Sequence, residues 1–310
     1  MPPRLAKLLA FLVAVALVAG AFWYRSRSDG GGLDIGGSGG TVKVACITEL
    51  ADVCRTALGE GFDLTVADAG ETAEELAASE GAAPYSAWVT LDPWPAMVDV
   101  ERRAQQRSPL FGDRATRHAS TDVRTLSTPG ARGDAARWDR LAARARTGAN
   151  IGVPAHDTAL GAVVEGQAAA GIVGNADFGN EVFAEMVPEL EAALRSATRL
   201  GGEEQLTRMV VQQGSYDAVA GFGFLVERTA RTPEAERRRL VAVDTEPRAR
   251  ADVVVATTGT GDRADRVTEQ FTGETGAKAL EAEGWTVPAT KGPTGLPDPD
   301  VLVALRKEIE

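Results

Sequence analysis

From Thr41 onward the chain alternates short apolar, β-branched runs with longer stretches whose apolar residues recur every three or four positions. Short runs bounded by Gly, Pro, Asn or Asp read as strands, and the longer spacing reads as helices that bury one face. The pattern predicts strands over residues 42–47, 62–67, 86–91, 150–153, 219–226, 240–243 and 252–257. Several are apolar at every position, as expected of parallel strands buried on both faces. Helices are predicted over 49–58, 72–79, 93–106, 135–146, 158–170 and 178–197. In the last, Val182, Met186, Leu190 and Leu194 form one core-facing stripe, and Pro188 is expected to kink or divide it. Strands alternating with helices mark an α/β protein.

Two polar stretches interrupt this alternation. Residues 107–132 are rich in Arg, Ser, Thr and Pro with little periodicity, and 245–250 is a shorter stretch of the same kind. Read as two crossings between lobes, they divide the folded part into a discontinuous first lobe (41–122 plus 248–310) and a second lobe (123–247). No internal repeat is visible.

The N-terminus has a different pattern. Arg4 and Lys7 precede an uncharged apolar run over 8–24, at the lower end of a bilayer span. Ala19-Gly20-Ala21 offers a signal-peptidase site. Phe22-Trp23-Tyr24 followed by Arg25 and Arg27 instead reads as an aromatic belt at a membrane surface. The pattern favours an uncleaved signal anchor over 1–27, a single pass with an extracytoplasmic head. Cleavage after Ala21, giving a secreted protein, is the alternative. Residues 28–40 are a Gly/Ser linker, a flexible coil by composition.

Composition narrows the function. Asp and Glu outnumber Lys and Arg by 44 to 33, a net charge of -11. A nucleic-acid binder needs the opposite surface, so that class is excluded. Aromatic residues make up only 5%, so Ala, Val and Leu must fill the core. The only cysteines are Cys46 and Cys54. Outside the cytoplasm they would form a disulfide, and two buried thiols are the other reading. With only His118 and His156 besides, and neither nearby, a closed zinc site is not expected.

Three catalytic look-alikes carry no chemistry. Gly36-Gly37-Ser38-Gly39-Gly40 matches the nucleophile elbow but lies in the linker, without a strand before it and a helix after it. Asp177-Phe178-Gly179 lacks every other kinase motif. Gly259-Thr260-Gly261-Asp262-Arg263-Ala264 follows a strand and opens a helix, yet the acidic residues about 20 positions on, Glu281 and Glu283, fall in a helical stretch. No enzyme activity and no cofactor are expected.

Four turns between strands and helices are more informative. Thr48, Asp92 and Asp157 are expected to cap the helices that follow the strands at 42–47, 86–91 and 150–153. Pro93 would be a first helical residue. The fourth turn, Gln213-Gly214-Ser215-Tyr216-Asp217-Ala218, leads into a strand. Two turns come from each predicted lobe. In open parallel sheets ligands sit outside the C-terminal strand ends, so a solute between the lobes would be contacted from both sides.

At these residues the chain resembles bacterial extracellular solute-binding proteins of the type II periplasmic-binding class. It is most similar to the branch of molybdate-type binding proteins and solute-binding halves associated with von Willebrand factor A domains. The resemblance is carried by Val42-Lys43-Val44-Ala45-Cys46-Ile47, Ala87-Trp88-Val89-Thr90-Leu91-Asp92-Pro93-Trp94, Arg137-Trp138-Asp139-Arg140-Leu141 and Ile151-Gly152-Val153-Pro154. Thr158-Ala159-Leu160-Gly161, Gly214-Ser215-Tyr216-Asp217-Ala218-Val219 and Phe271-Thr272-Gly273-Glu274-Thr275-Gly276-Ala277 complete it. It implies a two-lobed α/β periplasmic-binding-protein-like fold behind an N-terminal transmembrane or signal helix. It also implies ligand contacts at Thr48, Glu49, Thr90, Asp92, Asp157, Thr158, Tyr216 and Asp217. Oxyanion binders of this class favour small hydroxyl residues after the first strand, whereas Glu49 follows Thr48 here. A carboxylate repels an oxyanion, so a cationic or neutral polar solute is expected. The implied partner is a transporter permease. The alternative is a surface protein, served by a sensor or interaction module that keeps the fold without a solute.

Overall fold

The computed structural model describes residues 41–194 and 202–309. The predicted anchor (1–27), the linker (28–40) and the end of the 178–197 helix lie outside the described residues. Among the described residues no helix is long and apolar enough to cross a membrane.

Eight strands form one mixed sheet in the order β2-β1-β3-β8-β4-β6-β5, with β7 paired to β4 off that path. They are β1 (Val42–Ile47), β2 (Phe62–Ala67), β3 (Ala87–Leu91), β4 (Ala115–Ser127), β5 (Ile151–Gly152), β6 (Ala218–Phe222), β7 (Val241–Asp244) and β8 (Arg250–Thr257). β1 runs parallel to β2 and β3, and β8 is antiparallel to β3 and β4. β6 and β7 pair antiparallel with the second half of β4, and β5 runs parallel to β6. The helices are α1 (Ala51–Leu58), α2 (Ala69–Ala78), α3 (Trp94–Ala104), α4 (Trp138–Arg146), α5 (Ala159–Val173) and α6 (Phe183–Leu194), then α7 (Gly202–Val211), α8 (Gly223–Ala230), α9 (Pro233–Arg237), α10 (Asp262–Thr272), α11 (Glu274–Glu283) and α12 (Pro299–Ile309).

β4 corrects the sequence reading most. The polar stretch read as a crossing between lobes, with no strand predicted in it, contains the longest strand among the described residues. Its first half pairs β8 through Asp122, and its second half pairs β6 and β7 from Val123 on. A strand this polar stays in the sheet because its arginines have acidic partners. Arg117 bridges Asp92 (2.5 Å) and Asp252 (3.4 Å), and Arg124 meets Glu227 and Asp244.

The strand predicted over 219–226 ends at Phe222, where α8 begins. A Cβ at Gly223 would stand 2.8 Å from the Asp122 carbonyl, so the chain bends against β4 there. Short apolar runs do not separate strand from buried helix by pattern alone. Pro188 lies inside α6 without dividing it. Met186 and Leu190 of the predicted stripe are buried, and Val182 and Leu194 pack against the same core.

The core lies on both faces of the sheet and is built largely from Ala, Val and Leu around Trp88, Phe111, Trp138 and Phe271. α5 runs through it, buried from Ala159 to Gly171 and apolar nearly all round. Its buried Glu165 (4% exposed) pairs with Arg306 of α12 at 3.1 Å and with His156 Nδ1 at 2.8 Å.

A disulfide joins Cys46 at the end of β1 to Cys54 in α1, with the Cα atoms 6.6 Å apart. It closes a loop of eight residues. Restricting so short a loop in the unfolded chain contributes about 2.5 kcal/mol. The Cys46→Ala, Cys54→Ala double variant should lose about that much, read from urea unfolding against the oxidised parent.

Candidate functional site

A cavity of about 630 Å³ opens where the turns after β1, β2 and β5 face helices α7, α8 and the end of α11. Thr48, Glu49, Ala51, Asp52 and Val53 supply one wall, with Asp68 after β2. Ala155, Asp157, Thr158 and Leu160 supply a second stretch of the wall. Gly202, Glu203, Phe222, Phe224, Leu225, Arg228, Glu283 and Trp285 complete it.

The β1–α1 turn differs from the expected helix cap. Residues Thr48–Leu50 form a single 3-10 turn, and no side chain caps it. The Thr48 hydroxyl instead donates to Asp68 Oδ1 at 2.8 Å. Glu49 reaches across to α5, where its Oε1 accepts the Leu160 N–H at 3.1 Å. Glu49 as a whole is only half-buried, but its Oε2 has no accessible surface and no hydrogen-bond partner. Burial raises the Glu49 carboxyl above the usual carboxylate range. Backbone N–H groups of Glu49, Leu160 and Ala159 oppose that shift, and the Asp68 charge adds to it.

In the second stretch of the wall the cap is Thr158, not Asp157. Thr158 Oγ1 accepts the Gly161 N–H at 3.0 Å and donates to the Ala155 carbonyl at 2.7 Å. A Cβ at Gly161 would collide with that carbonyl, which explains the glycine. Asp157 leaves its side chain exposed, while its carbonyl accepts the Gly70 N–H at 2.8 Å. That bond ties the turn to α2.

The aromatic side of the cavity is a three-ring cluster. Phe222 and Phe224 stack with centroids 5.7 Å apart, and Trp285 meets them at 5.0 and 5.4 Å. Among the described residues no group of three or more His, Cys, Asp or Glu is placed to hold a metal ion.

Of the eight implied contact residues, the structure brings Thr48, Glu49, Asp157 and Thr158 to this cavity. Thr90, Asp92, Tyr216 and Asp217 do not line it. Thr90 is fully buried within β3. Asp92 is not a cap either. α3 starts at Trp94 behind Pro93, and the Asp92 carboxylate binds Arg117. Tyr216 is buried in a separate cluster with Leu126, Leu206 and Met209. Asp217 accepts the Asn150 N–H at 3.1 Å and lies 3.7 Å from Arg144, tying the β5 and β6 entrances together. The sequence reading missed Asp68, which the same strand-to-helix rule would have found after β2. It also missed Phe224, Arg228, Glu283 and Trp285. Phe224 was hidden in an overlong strand, Arg228 lies in the helix that replaces its end, and Glu283 and Trp285 lie at a helix end, where no ligand rule applied.

No protein-family model matches the chain, and no curated protein matches its sequence. Solved structures do match. An ABC transporter protein from Clostridium perfringens superposes with a TM-score of 0.56 at 12% identity, over 86% of this chain and 97% of its own. The periplasmic binding protein AfuA from Actinobacillus pleuropneumoniae, solved with fructose 6-phosphate, gives 0.56 at 12% identity over 88% and 97%. The periplasmic binding protein P5PA gives 0.53 at 12% identity over 87% and 96%. The fold is that of the periplasmic binding proteins. Within a periplasmic-binding fold the site described here has an acidic and aromatic lining, and its α5 N-terminus is already occupied by Glu49.

Proposed function

We propose that the chain is an extracytoplasmic solute-binding protein that holds a small polar solute in this cavity and hands it to a membrane transporter. One observation carries the reading: turns distant in sequence, at 48–53 and 155–160, line a single cavity of small-molecule size. The fold shared with periplasmic binding proteins supports it. In this reading 41–122 with 248–310 forms one lobe and 123–247 the other. They hinge at β4 and at the 245–250 strap, and contacts on both lobes select closure. The apolar run at 8–24 holds the head at the membrane, and the protein performs no chemical conversion. The sequence pieces quoted above are what support the molybdate-type branch.

A specific observation favours a second reading, a surface sensor or interaction module that keeps the fold without a solute. Glu49 links the two walls on its own, through the Leu160 N–H. A thermal-shift screen of the full-length chain against inorganic ions, sugars, amino acids and amines separates the readings. A solute that raises Tm with its own concentration supports binding. A flat response across the panel supports the second reading.

A further inference from the structure

We infer that the solute is an organic cation, an amine or guanidinium compound with an apolar body. This rests on the solute-binding reading above. Six carboxylates line the cavity (Glu49, Asp52, Asp68, Asp157, Glu203 and Glu283), against Arg228 alone among the described lining cations. Arg228 is itself engaged, 3.6 Å from Glu203. Low-dielectric walls focus such a field, which draws cations in and turns anions away.

The backbone agrees. Helix N-termini are ready anion seats, and α5 starts at this cavity. Its Leu160 N–H is bound by Glu49 and its Gly161 N–H by Thr158. The protein's own carboxylate therefore occupies the place an oxyanion would need.

Glu49 Oε2 has no surface open to the cavity, so the Glu49 charge acts on a ligand through the field and not by a direct hydrogen bond. The carboxylates do not converge on a point, since no three of them are placed to chelate a metal. They are spread around about 630 Å³, space for a molecule rather than a bare ion. Phe224 is partly exposed at the wall beside Phe222 and Trp285. Aromatic faces attract ammonium and guanidinium groups and also cover an apolar body.

Isothermal titration of the full-length chain at low salt tests this with spermidine, choline and arginine, against sulfate, fructose 6-phosphate and glucose. At least one of the three cations should bind, and its affinity should fall as salt is added. Glu49→Gln should weaken it severalfold, through the loss of one of the charges around the cavity. Phe224→Leu and the exposed Asp157→Asn should each weaken it severalfold. Unfolding curves of each variant establish that it is folded. Binding of sulfate, fructose 6-phosphate or glucose with none of the cations overturns the charge assignment and leaves solute binding standing. No heat from any compound overturns both. Unchanged cation affinity in all three variants also overturns the inference, because the ligand would then sit elsewhere.

Discussion

Replacing Arg306 with methionine is expected to lower the unfolding free energy by about 3–5 kcal/mol. Its guanidinium, 11% exposed, lies 3.1 Å from Glu165, which is 4% exposed in the middle of α5. The same group stacks 4.7 Å from the Trp94 ring centroid, and the Trp94 indole N–H donates to the Ala159 carbonyl at 3.2 Å. Removing Arg306 leaves the buried Glu165 carboxyl with His156 as its remaining ion partner among the described residues. Breaking a buried pair on one side is costly, whereas removing both charges together is far cheaper. The Arg306→Met, Glu165→Gln double variant should therefore recover most of the loss. Urea unfolding of the two single variants and the double variant gives the coupling directly. Additive losses would show that the pair contributes little. The pair also fastens α12 to the helix whose N-terminus forms one wall of the cavity, so Arg306→Met should weaken solute retention as well.

Asp252→Ala should be comparably damaging, at about 3–5 kcal/mol. Asp252 is fully buried in β8 and takes two bonds from Arg250, at 2.6 and 2.8 Å. It also lies 3.4 Å from Arg117 of β4. Without it the Arg250 guanidinium, 10% exposed, keeps the Lys291 and Gly292 carbonyl oxygens as its hydrogen-bond partners among the described residues. Arg117 would keep Asp92. Asp252→Asn retains the acceptor and should lose less. Equal unfolding midpoints for the parent and Asp252→Ala would contradict the account.

This charged ladder also marks the limit of what the sequence could reveal. β1 and β2 were legible to the residue because both are short and bounded by turns: β1 is apolar and buried but for Lys43, and β2 alternates exposed and half-buried positions as an edge strand does. β4 was not legible. Its arginines find their carboxylates on α3's approach, β7, β8 and α8, and no single-sequence pattern shows that pairing in advance. The site divided along the same line. Of the contacts that the resemblance implied, Thr48, Glu49, Asp157 and Thr158 lie in turns that line the cavity. Asp92 and Tyr216 lie outside it. One was claimed by Arg117 and the other by the apolar cluster beneath α7, both long-range partners. The capping rule erred at Thr48 because the chain makes a 3-10 turn over Thr48–Leu50 before α1, which puts Leu50 and not Thr48 at the helix N-cap. The aromatic wall came from the end of β6, the start of α8 and Trp285 just past α11, elements that meet the turns only through tertiary packing.

Amide hydrogen exchange on the full-length chain, with and without the tightest-binding compound of the titration panel, tests the central claim most directly. The account predicts slower exchange over 48–53, 155–160, 222–228 and 283–285, with β2 and α9 unchanged. Slowing confined to other surfaces, such as the depressions around 120–124 or 257–269, would contradict it.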